Sequence, residues 1–146
     1  MNAPILLVED NEDDEALALR ALRKNHLAND VAVVRDGAAA LAYLLGTAEA
    51  PATEPLPAVV LLDLKLPKLD GFEVLQRLRA APRTRRLPVV ILTSSKEDRD
   101  LVESYDLGAN SFVRKPVDFE QFIEAVRQLG LYWLVINEAP PAAREP

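Results

Sequence analysis

Short, uninterrupted apolar runs constrain the fold of this chain more than any other feature of its sequence. Four of them end next to a charged or hydroxyl residue, and they lie at residues 5–8, 59–62, 89–92 and 112–113. Runs of leucine and β-branched residues without polar interruption are typical of strands that are buried on both faces, as parallel strands are. Helical patterns separate these runs, so we expect a sheet of parallel strands covered by helices.

The alternation of strands and helices defines the predicted architecture. With a further strand at residues 31–34, five strands and five helices alternate along the chain. This pattern favours a three-layer α/β fold with a doubly wound, parallel five-stranded sheet, and we expect the flavodoxin-like strand order 2-1-3-4-5. Residues suited to capping precede the first, fourth and fifth helices, and these are Asn11, Ser95 and Asp118. Residues 47–57 have no periodic pattern and are predicted to be a loop or a flexible insertion.

The composition excludes several classes of protein. The 146-residue chain has no cysteine, so it offers neither a disulfide framework nor a thiolate metal site. The net charge of −6 argues against a nucleic-acid surface, because phosphate binding needs clustered lysine and arginine. No apolar stretch approaches the roughly 20 residues of a membrane span. We therefore expect a cytoplasmic protein with no nucleic-acid or membrane partner, and we interpret the basic loop at 83–86 as a solvated loop tip.

Five side chains follow or end the predicted strands, at the edge where parallel sheets bind ligands. Glu9 and Asp10 follow the first strand, and the others are Asp63, Thr93 and Lys115. Three carboxylates at one edge repel each other unless a cation lies among them, so they predict a divalent ion, with Mg²⁺ the expected one. Asp63 is the expected nucleophile toward a phosphoryl group. Lys115 would supply positive charge, and Thr93 a hydroxyl donor, to the phosphoryl oxygens.

The motifs at these strand ends resemble those of the response regulator receiver domains of two-component systems. They are LVEDN at 7–11, LLDLKLP at 61–67 followed by DG at 70–71, LTSS at 92–95 and FVRKP at 112–116. All occur at predicted strand ends in the family's order, and the resemblance covers about residues 4–134. The long loop after the second helix and the ending LYWL at 131–134 are similar to phytochrome-associated response regulators of cyanobacteria and other bacteria.

The resemblance implies a stand-alone protein that is phosphorylated and then signals by binding other proteins. A cognate histidine kinase, a bacteriophytochrome by the subfamily resemblance, would transfer a phosphoryl group to Asp63. The chain would catalyse only its own phosphoryl transfer and dephosphorylation. The backbone carbonyl of Lys65 would complete the metal site, Thr93 and Phe112 would form the switch, and the bond between Lys115 and Pro116 would be cis.

The resemblance also implies domain bounds and a dimer. The receiver domain is expected over residues 4–136, with a disordered tail over 137–146. The family's usual dimer surface predicts a homodimer through helices 4 and 5 and the C-terminal segment. That segment, 131–136, is too apolar to remain exposed, so it either packs on the core of its own domain or covers a partner subunit.

Two other functions fit parts of the pattern. A Mg²⁺-dependent phosphohydrolase also forms an aspartyl phosphate, but such enzymes resemble a pattern with a second acid two residues after the nucleophile, where this chain has Lys65. A pseudo-receiver, an interaction module that never takes phosphate, does not need the complete set of acids, hydroxyl and lysine. His26, the only histidine, is interpreted as a surface residue at a helix end and not as a phosphohistidine.

Overall fold

The five strands form one parallel sheet. The computed structural model describes residues 3–24, 30–115, 119–130, 132–133 and 137–138, without the side chains of Phe119 and Phe122. In chain order the elements are β1 (Ile5–Val8), α1 (Glu12–Lys24), β2 (Val31–Val34), α2 (Gly37–Leu45), β3 (Val59–Leu62), α3 (Gly71–Ala80), β4 (Val89–Thr93), α4 (Asp98–Asp106), β5 (Ser111–Arg114) and α5 (Phe119–Gly130). The strand order is β2-β1-β3-β4-β5, and each neighbouring pair is parallel. The predicted fold class and strand order are confirmed.

The core has two halves, because side chains of each strand alternate between the faces of the sheet. Leu6 and Val8 of β1 pack with α2 and α3, whereas Ile5 and Leu7 pack with α1 and α5. Strands β1, β3 and β4 are buried along their whole length. Burial on both faces explains why their sequences are apolar without alternation.

Side-chain caps fix where three helices begin. The side-chain oxygen of Asn11 accepts a hydrogen bond from the backbone N–H of Asp14 at 3.0 Å, which confirms the predicted cap of α1. Asp36 and Asp70 occupy the N-cap positions of α2 and α3 and accept equivalent bonds. Each cap satisfies a backbone N–H that has no partner within its helix.

The predicted cap of α4 is wrong. Glu97 occupies the N-cap position, with the extended backbone that an N-cap residue usually has (φ −82° and ψ 129°), and its side chain makes no capping bond. Ser95 therefore lies two residues too early to cap the helix. Its hydroxyl instead donates to the Asp100 carboxylate at 2.6 Å and accepts the Glu97 N–H at 3.3 Å.

Arg79, in the last turn of α3, ties together the edge of the sheet at which the strands begin. Its guanidinium makes five hydrogen bonds of 2.8–3.1 Å to the carbonyl oxygens of Thr84, Leu87 and Gly108 and the side-chain oxygen of Asn110. Burial lowers the pKa of Arg79. Gly108 has φ 101°, and a Cβ there would lie 2.9 Å from Arg79 Nε, so both the backbone and the arginine favour glycine at this position. The network joins α3 to the residues that lead into β4 and β5.

Arg83 holds the long loop between α2 and β3. It donates to the carbonyl oxygens of Leu44 and Thr53 at 3.2 and 3.3 Å, and it pairs with Glu54 at 2.8 Å. Its side chain is only 17% exposed, so the interpretation of this residue as part of a solvated loop tip is wrong. The physical reason is that α2 and α3 pack side by side, which brings the loops at their ends into contact.

Tyr132 and Trp133, which follow α5, differ in burial. The rings of Tyr132 and Trp133 meet edge to face at 5.0 Å. Trp133 packs against the half of the core that contains α1 and α5, whereas Tyr132 is 48% exposed. Of the two predicted roles for this segment, packing on the core is thus observed for Trp133.

Several predictions fall outside the described residues. They concern His26, the peptide bond to Pro116, the Asp118 cap, residues 131 and 134–136 of the apolar segment, and residues 139–146 of the tail. The domain bounds 4–136 and the tail over 137–146 stay predictions. Across the part of the chain that the structure describes, no helix has both the length and the apolar character needed to cross a membrane.

Candidate functional site

The sheet brings the predicted site residues to one edge. Glu9 and Asp63 directly follow the adjacent strands β1 and β3, Thr93 is the last residue of β4, and Lys115 follows β5. Backbone hydrogen bonds continue past the strands: Asp63 N–H donates to the Val8 carbonyl at 3.2 Å, and Lys115 N–H donates to the Thr93 carbonyl at 2.7 Å. The positions of these residues are therefore fixed by the sheet itself, which holds side chains more accurately than a loop does.

The ammonium group of Lys115 lies at the centre of the site. Its Nζ atom is 2.5 Å from Glu9 Oε1, 2.8 Å from Asp14 Oδ2 and 2.9 Å from Asp63 Oδ2. An ammonium group has three N–H donors, so one is available for each carboxylate. The side chains of Lys115, Glu9 and Asp63 are 8%, 3% and 9% exposed, and water screens these interactions little.

Burial and charge shift the pKa values of two of these groups. Burial raises the pKa of Glu9 to about 7, and the charge of Asp63 adds to this, although the hydrogen bond from Lys115 acts in the opposite direction. Burial alone would lower the pKa of Lys115, but hydrogen bonds to Asp14 and Glu9 and the charge of Asp63 raise it above its usual range. Lys115 is thus charged at neutral pH, whereas Glu9 keeps its proton to a higher pH than an exposed glutamate does.

Glu9, Asp10 and Asp63 form a candidate site for a divalent cation. One carboxylate oxygen from each lies within 4.8 Å of the other two, so small side-chain movements would let all three reach one ion. A set of carboxylate oxygens suits a hard cation such as Mg²⁺. Glu9 and Asp63 are buried and Asp10 is exposed at the mouth of an acidic cleft. The cleft is lined by Glu9, Asp10, Asn11, Glu12, Asp13, Asp14, Asp63, Lys65 and Ser94.

Both oxygens of the Asp63 carboxylate already accept a hydrogen bond. Oδ1 accepts from the backbone N–H of Lys65 at 3.3 Å, and Oδ2 accepts from Lys115 Nζ at 2.9 Å. The turn after Asp63 lies close to the start of α3, where a Cβ on Gly71 would lie 2.7 Å from Leu64 Cα. Glycine is thus required at that position for the turn to hold Asp63 and Lys65 where they are.

Thr93, at the end of β4, and Phe112, in β5, are the two residues predicted to form the switch. Thr93 is fully buried, and its hydroxyl oxygen accepts the Ser95 N–H at 3.3 Å. Phe112 is half-buried against the half of the core that contains α2 and α3, and the Arg114 guanidinium lies 5.8 Å from the centre of its ring. Because Ser95 in turn bonds Asp100, the Thr93 hydroxyl is connected through two hydrogen bonds to the first turn of α4.

Asp14 is the residue of this site that the sequence interpretation missed. Its place in the acidic first turn of α1 suggested only a favourable interaction with the helix dipole. In the structure its carboxylate also bonds the Lys115 ammonium at 2.8 Å. A signal was available: Asp14 is the third residue after the Asn11 cap, and side chains at that position turn back toward the start of the helix.

Comparison with known proteins identifies the family. Residues 5–127, most of the chain, match the response regulator receiver domain. The chain belongs to this family. Response regulator Rcp1 of Synechocystis is 36% identical to it over 138 residues, which are 94% of this chain and 93% of Rcp1. The sequence-based resemblance to receiver domains is therefore confirmed.

Solved receiver structures are similar to this one over nearly all of its length. The phosphorylated cyanobacterial phytochrome response regulator RcpA has a TM-score of 0.88 and 38% identity, covering 96% of this chain and 99% of its own. The Mn²⁺-bound form of Rcp1 has a TM-score of 0.86 and 36% identity, covering 94% and 99%. The bacteriophytochrome response regulator AtBRR is 55% identical with a TM-score of 0.75, covering 94% and 99%.

Receiver domains are signalling proteins of two-component systems rather than classical enzymes. As a family they accept a phosphoryl group, interact with histidine kinases and bind Mg²⁺ or Mn²⁺ at an acidic site. This chain also has an acidic cluster at the corresponding end of its sheet, formed by Glu9, Asp10 and Asp63.

Proposed function

We propose that this protein accepts a phosphoryl group from a histidine kinase onto the Asp63 carboxylate and then signals by binding another protein. The observation that carries the proposal is the position of Asp63. Its side chain is 9% exposed, and its carboxylate lies 2.9 Å from the Lys115 ammonium and shares a cluster with Glu9 and Asp10. A carboxylate at this edge of the sheet has both the access and the neighbouring charges that phosphoryl transfer requires.

Glu9, Asp10 and Asp63 would hold the cation, together with the backbone carbonyl of Lys65. When bound, Mg²⁺ would neutralise negative charge and orient the phosphoryl oxygens. The three carboxylates fit this role because they are hard oxygen donors that already lie close together.

The residues of the chain then have separate tasks in the transfer. An oxygen of Asp63 forms a P–O bond to the phosphorus atom while the P–N bond to the kinase histidine breaks, and the histidine nitrogen keeps that electron pair. Lys115 donates a hydrogen bond to one phosphoryl oxygen and offsets its charge. The Thr93 hydroxyl donates to another.

The switch follows from a change in the partner of Thr93. The Thr93 hydroxyl currently accepts the Ser95 N–H at 3.3 Å. Turning toward a phosphoryl oxygen would favour an arrangement in which Phe112 moves into the space that Thr93 vacates. The link from Ser95 to Asp100 would carry this change to α4. The Thr93→Ala variant should therefore be phosphorylated yet gain little affinity for its partner.

A bacteriophytochrome is the kinase we propose, and a second copy of the chain is a proposed partner. The first is supported by similarity to response regulators that are named for phytochromes. The second is supported by large exposed apolar side chains on α4 and shortly after α5. Val102 and Tyr105 of α4 are 58% and 50% exposed, and Tyr132 is 48% exposed.

Phosphorylation can be tested with the purified protein, Mg²⁺ and acetyl phosphate. We expect one added phosphoryl group, located on Asp63 by mass spectrometry of peptides. Asp63→Asn should abolish labelling, whereas Asp13→Asn, which removes another carboxylate from the same cleft, should retain it. Labelling of the Asp63→Asn variant at the wild-type level would refute the assignment.

The dimer can be tested by analytical ultracentrifugation with and without acetyl phosphate. We expect the wild type to dimerise and the Tyr132→Glu variant to sediment as a monomer. A wild type that is monomeric under both conditions would remove the homodimer from the proposal. Transfer of phosphate from a bacteriophytochrome kinase, compared with an unrelated histidine kinase, tests the identity of the donor.

A further inference from the structure

Asp14 differs from the other two carboxylates that contact Lys115. Glu9 and Asp63 are almost completely buried and belong to the proposed metal and phosphoryl site. The Asp14 side chain is 35% exposed, and it comes from the first turn of α1 rather than from the end of a strand. Its backbone is held by the 3.0 Å bond to the Asn11 side chain. Asp14 thus approaches the ammonium from the side of the helix.

Phosphorylation would change two of the three partners of Lys115 and leave the third. Once Asp63 carries a phosphoryl group, one of its oxygens is bonded to phosphorus and its negative charge has moved onto the phosphoryl oxygens. Glu9 would share its oxygens with a bound cation. Asp14 lies outside the candidate metal cluster of Glu9, Asp10 and Asp63 and would keep its bond to Lys115.

A lysine needs such a partner because its side chain is flexible. The ammonium is a point charge on a four-carbon stem, so nothing in its own geometry directs it toward a reacting phosphoryl oxygen. A misplacement of about 1 Å can slow an enzyme-like step by about a hundredfold. A carboxylate that is not consumed in the reaction can hold the ammonium in place throughout.

We propose that Asp14 is a positioning residue for phosphoryl transfer to Asp63, and that it acts by holding the Lys115 ammonium. This inference rests on the proposed function. In the test reaction an Asp63 oxygen forms a P–O bond to the phosphorus atom of acetyl phosphate, the P–O bond to the acetyl group breaks, and acetate leaves with that electron pair. Asp14 exchanges no atom or proton in this step.

The test compares three variants with the wild type at saturating Mg²⁺ and acetyl phosphate. Asp14→Asn removes the charge–charge contact with Lys115, and Asp13→Asn removes one negative charge from the same helical turn at an exposed position. Asp14→Glu keeps a carboxylate. We expect the phosphorylation rate constant to fall about tenfold in Asp14→Asn, to change less than twofold in Asp13→Asn and to recover partly in Asp14→Glu.

Mg²⁺ affinity, measured by calorimetry, separates positioning from a general charge effect. Both Asn variants remove one negative charge near the cation site, so their Mg²⁺ affinities should fall to a similar extent. Only the Asp14→Asn variant should be phosphorylated slowly. Equal or faster transfer in Asp14→Asn than in Asp13→Asn would overturn the inference while leaving the proposed function intact. A wild type that takes no phosphate on Asp63 would overturn both.

Discussion

Strand β5 has a partly buried cation near each end, and the two differ in what surrounds them. At its beginning, Arg79 is bonded to carbonyl and amide oxygens, all of them uncharged. At its end, Lys115 is bonded to three carboxylates, and Asp10 adds a fourth acid nearby. One guanidinium donates a hydrogen bond to every oxygen of the first set. The second has more negative charge than one ammonium can neutralise, so it attracts further cations.

The contrast shows how one scaffold can be rigid at one edge and reactive at the other. Neutral acceptors hold the guanidinium without taking up protons near neutral pH, and without net negative charge they do not by themselves attract a metal ion. Carboxylates accept protons, metal ions and ammonium groups alike. A structural cation and a functional cation are thus distinguished by their partners rather than by their burial.

The largest effect is expected from Arg79→Lys. A lysine cannot supply the five bonds that the guanidinium makes, and dehydrated carbonyl oxygens would be left without donors. We expect a loss of about 3 kcal/mol in the free energy of unfolding, measured in urea, that Mg²⁺ does not repair. Arg77→Lys, an exposed position on the same helix paired with Glu73, should change stability by less than about 0.5 kcal/mol. Equal losses in the two variants would contradict the structural role of Arg79.

Removing a metal ligand should abolish most of the stabilisation by Mg²⁺ at the edge of the sheet that contains Lys115. At a Mg²⁺ concentration about 100 times its dissociation constant, the wild type should gain about 2.7 kcal/mol of stability. Asp10→Asn should lose most of this gain, seen as a missing rise in the melting temperature, while Asp13→Asn should retain most of it. An undiminished rise in Asp10→Asn would place the ion elsewhere.

Lys115→Met tests the difference between the two cations directly, because its effect on stability should depend on Mg²⁺ whereas that of Arg79→Lys should not. Without divalent cations, the three carboxylates lose their shared partner, and we expect a loss of about 2 kcal/mol in unfolding free energy. Added Mg²⁺ should reduce the loss, in contrast to Arg79→Lys. Lys65→Met removes the same charge from an exposed side chain of the same cleft and should have little effect. If the loss of stability in Lys115→Met did not depend on Mg²⁺, the Lys115 edge would behave like the Arg79 edge, and the proposed difference between them would be wrong.

The smallest effect is a pH dependence confined to the Lys115 edge. The pKa of Glu9 is raised to about 7, so its proton stabilises the fold below about pH 4.5, and this contribution is lost as the pH rises through 7. Mg²⁺ requires the ionised form, and its affinity should rise about tenfold between pH 6 and pH 8. Calorimetric titrations would show this, and Glu9→Gln should lose the dependence. A wild-type affinity that does not change with pH would contradict the shift.

The strands and their order could be predicted because their signals are local and redundant. Residues 5–8 are apolar at every position, and the acids that follow them define the edge of the sheet. Glu9, Asp63 and Lys115 were predicted to converge for the same reason, since topology alone brings strand ends together. To predict the contact between Asp14 and Lys115, one must also know in which direction the two side chains point, and the sequence composition does not give that direction.

The errors share a cause, which is that the deciding partner is distant in the sequence or depends on backbone angles. Arg83 reaches Leu44, 39 residues away, so its loop could not be distinguished from a solvated one. Ser95 is a good capping residue by composition, but the extended conformation at Glu97 moves the start of α4 past it.

The separation of Lys115 from Glu9, 106 residues along the chain, has a consequence for synthesis. A ribosome makes Glu9, Asp10 and Asp63 long before it makes Lys115, and the ammonium is the last part of the described site to emerge. A nascent chain released before β5 would carry the acids without the ammonium that bonds three of them. Such a fragment would lack β5 and the three ion pairs of Lys115, so an incomplete copy of this protein should not assemble the site.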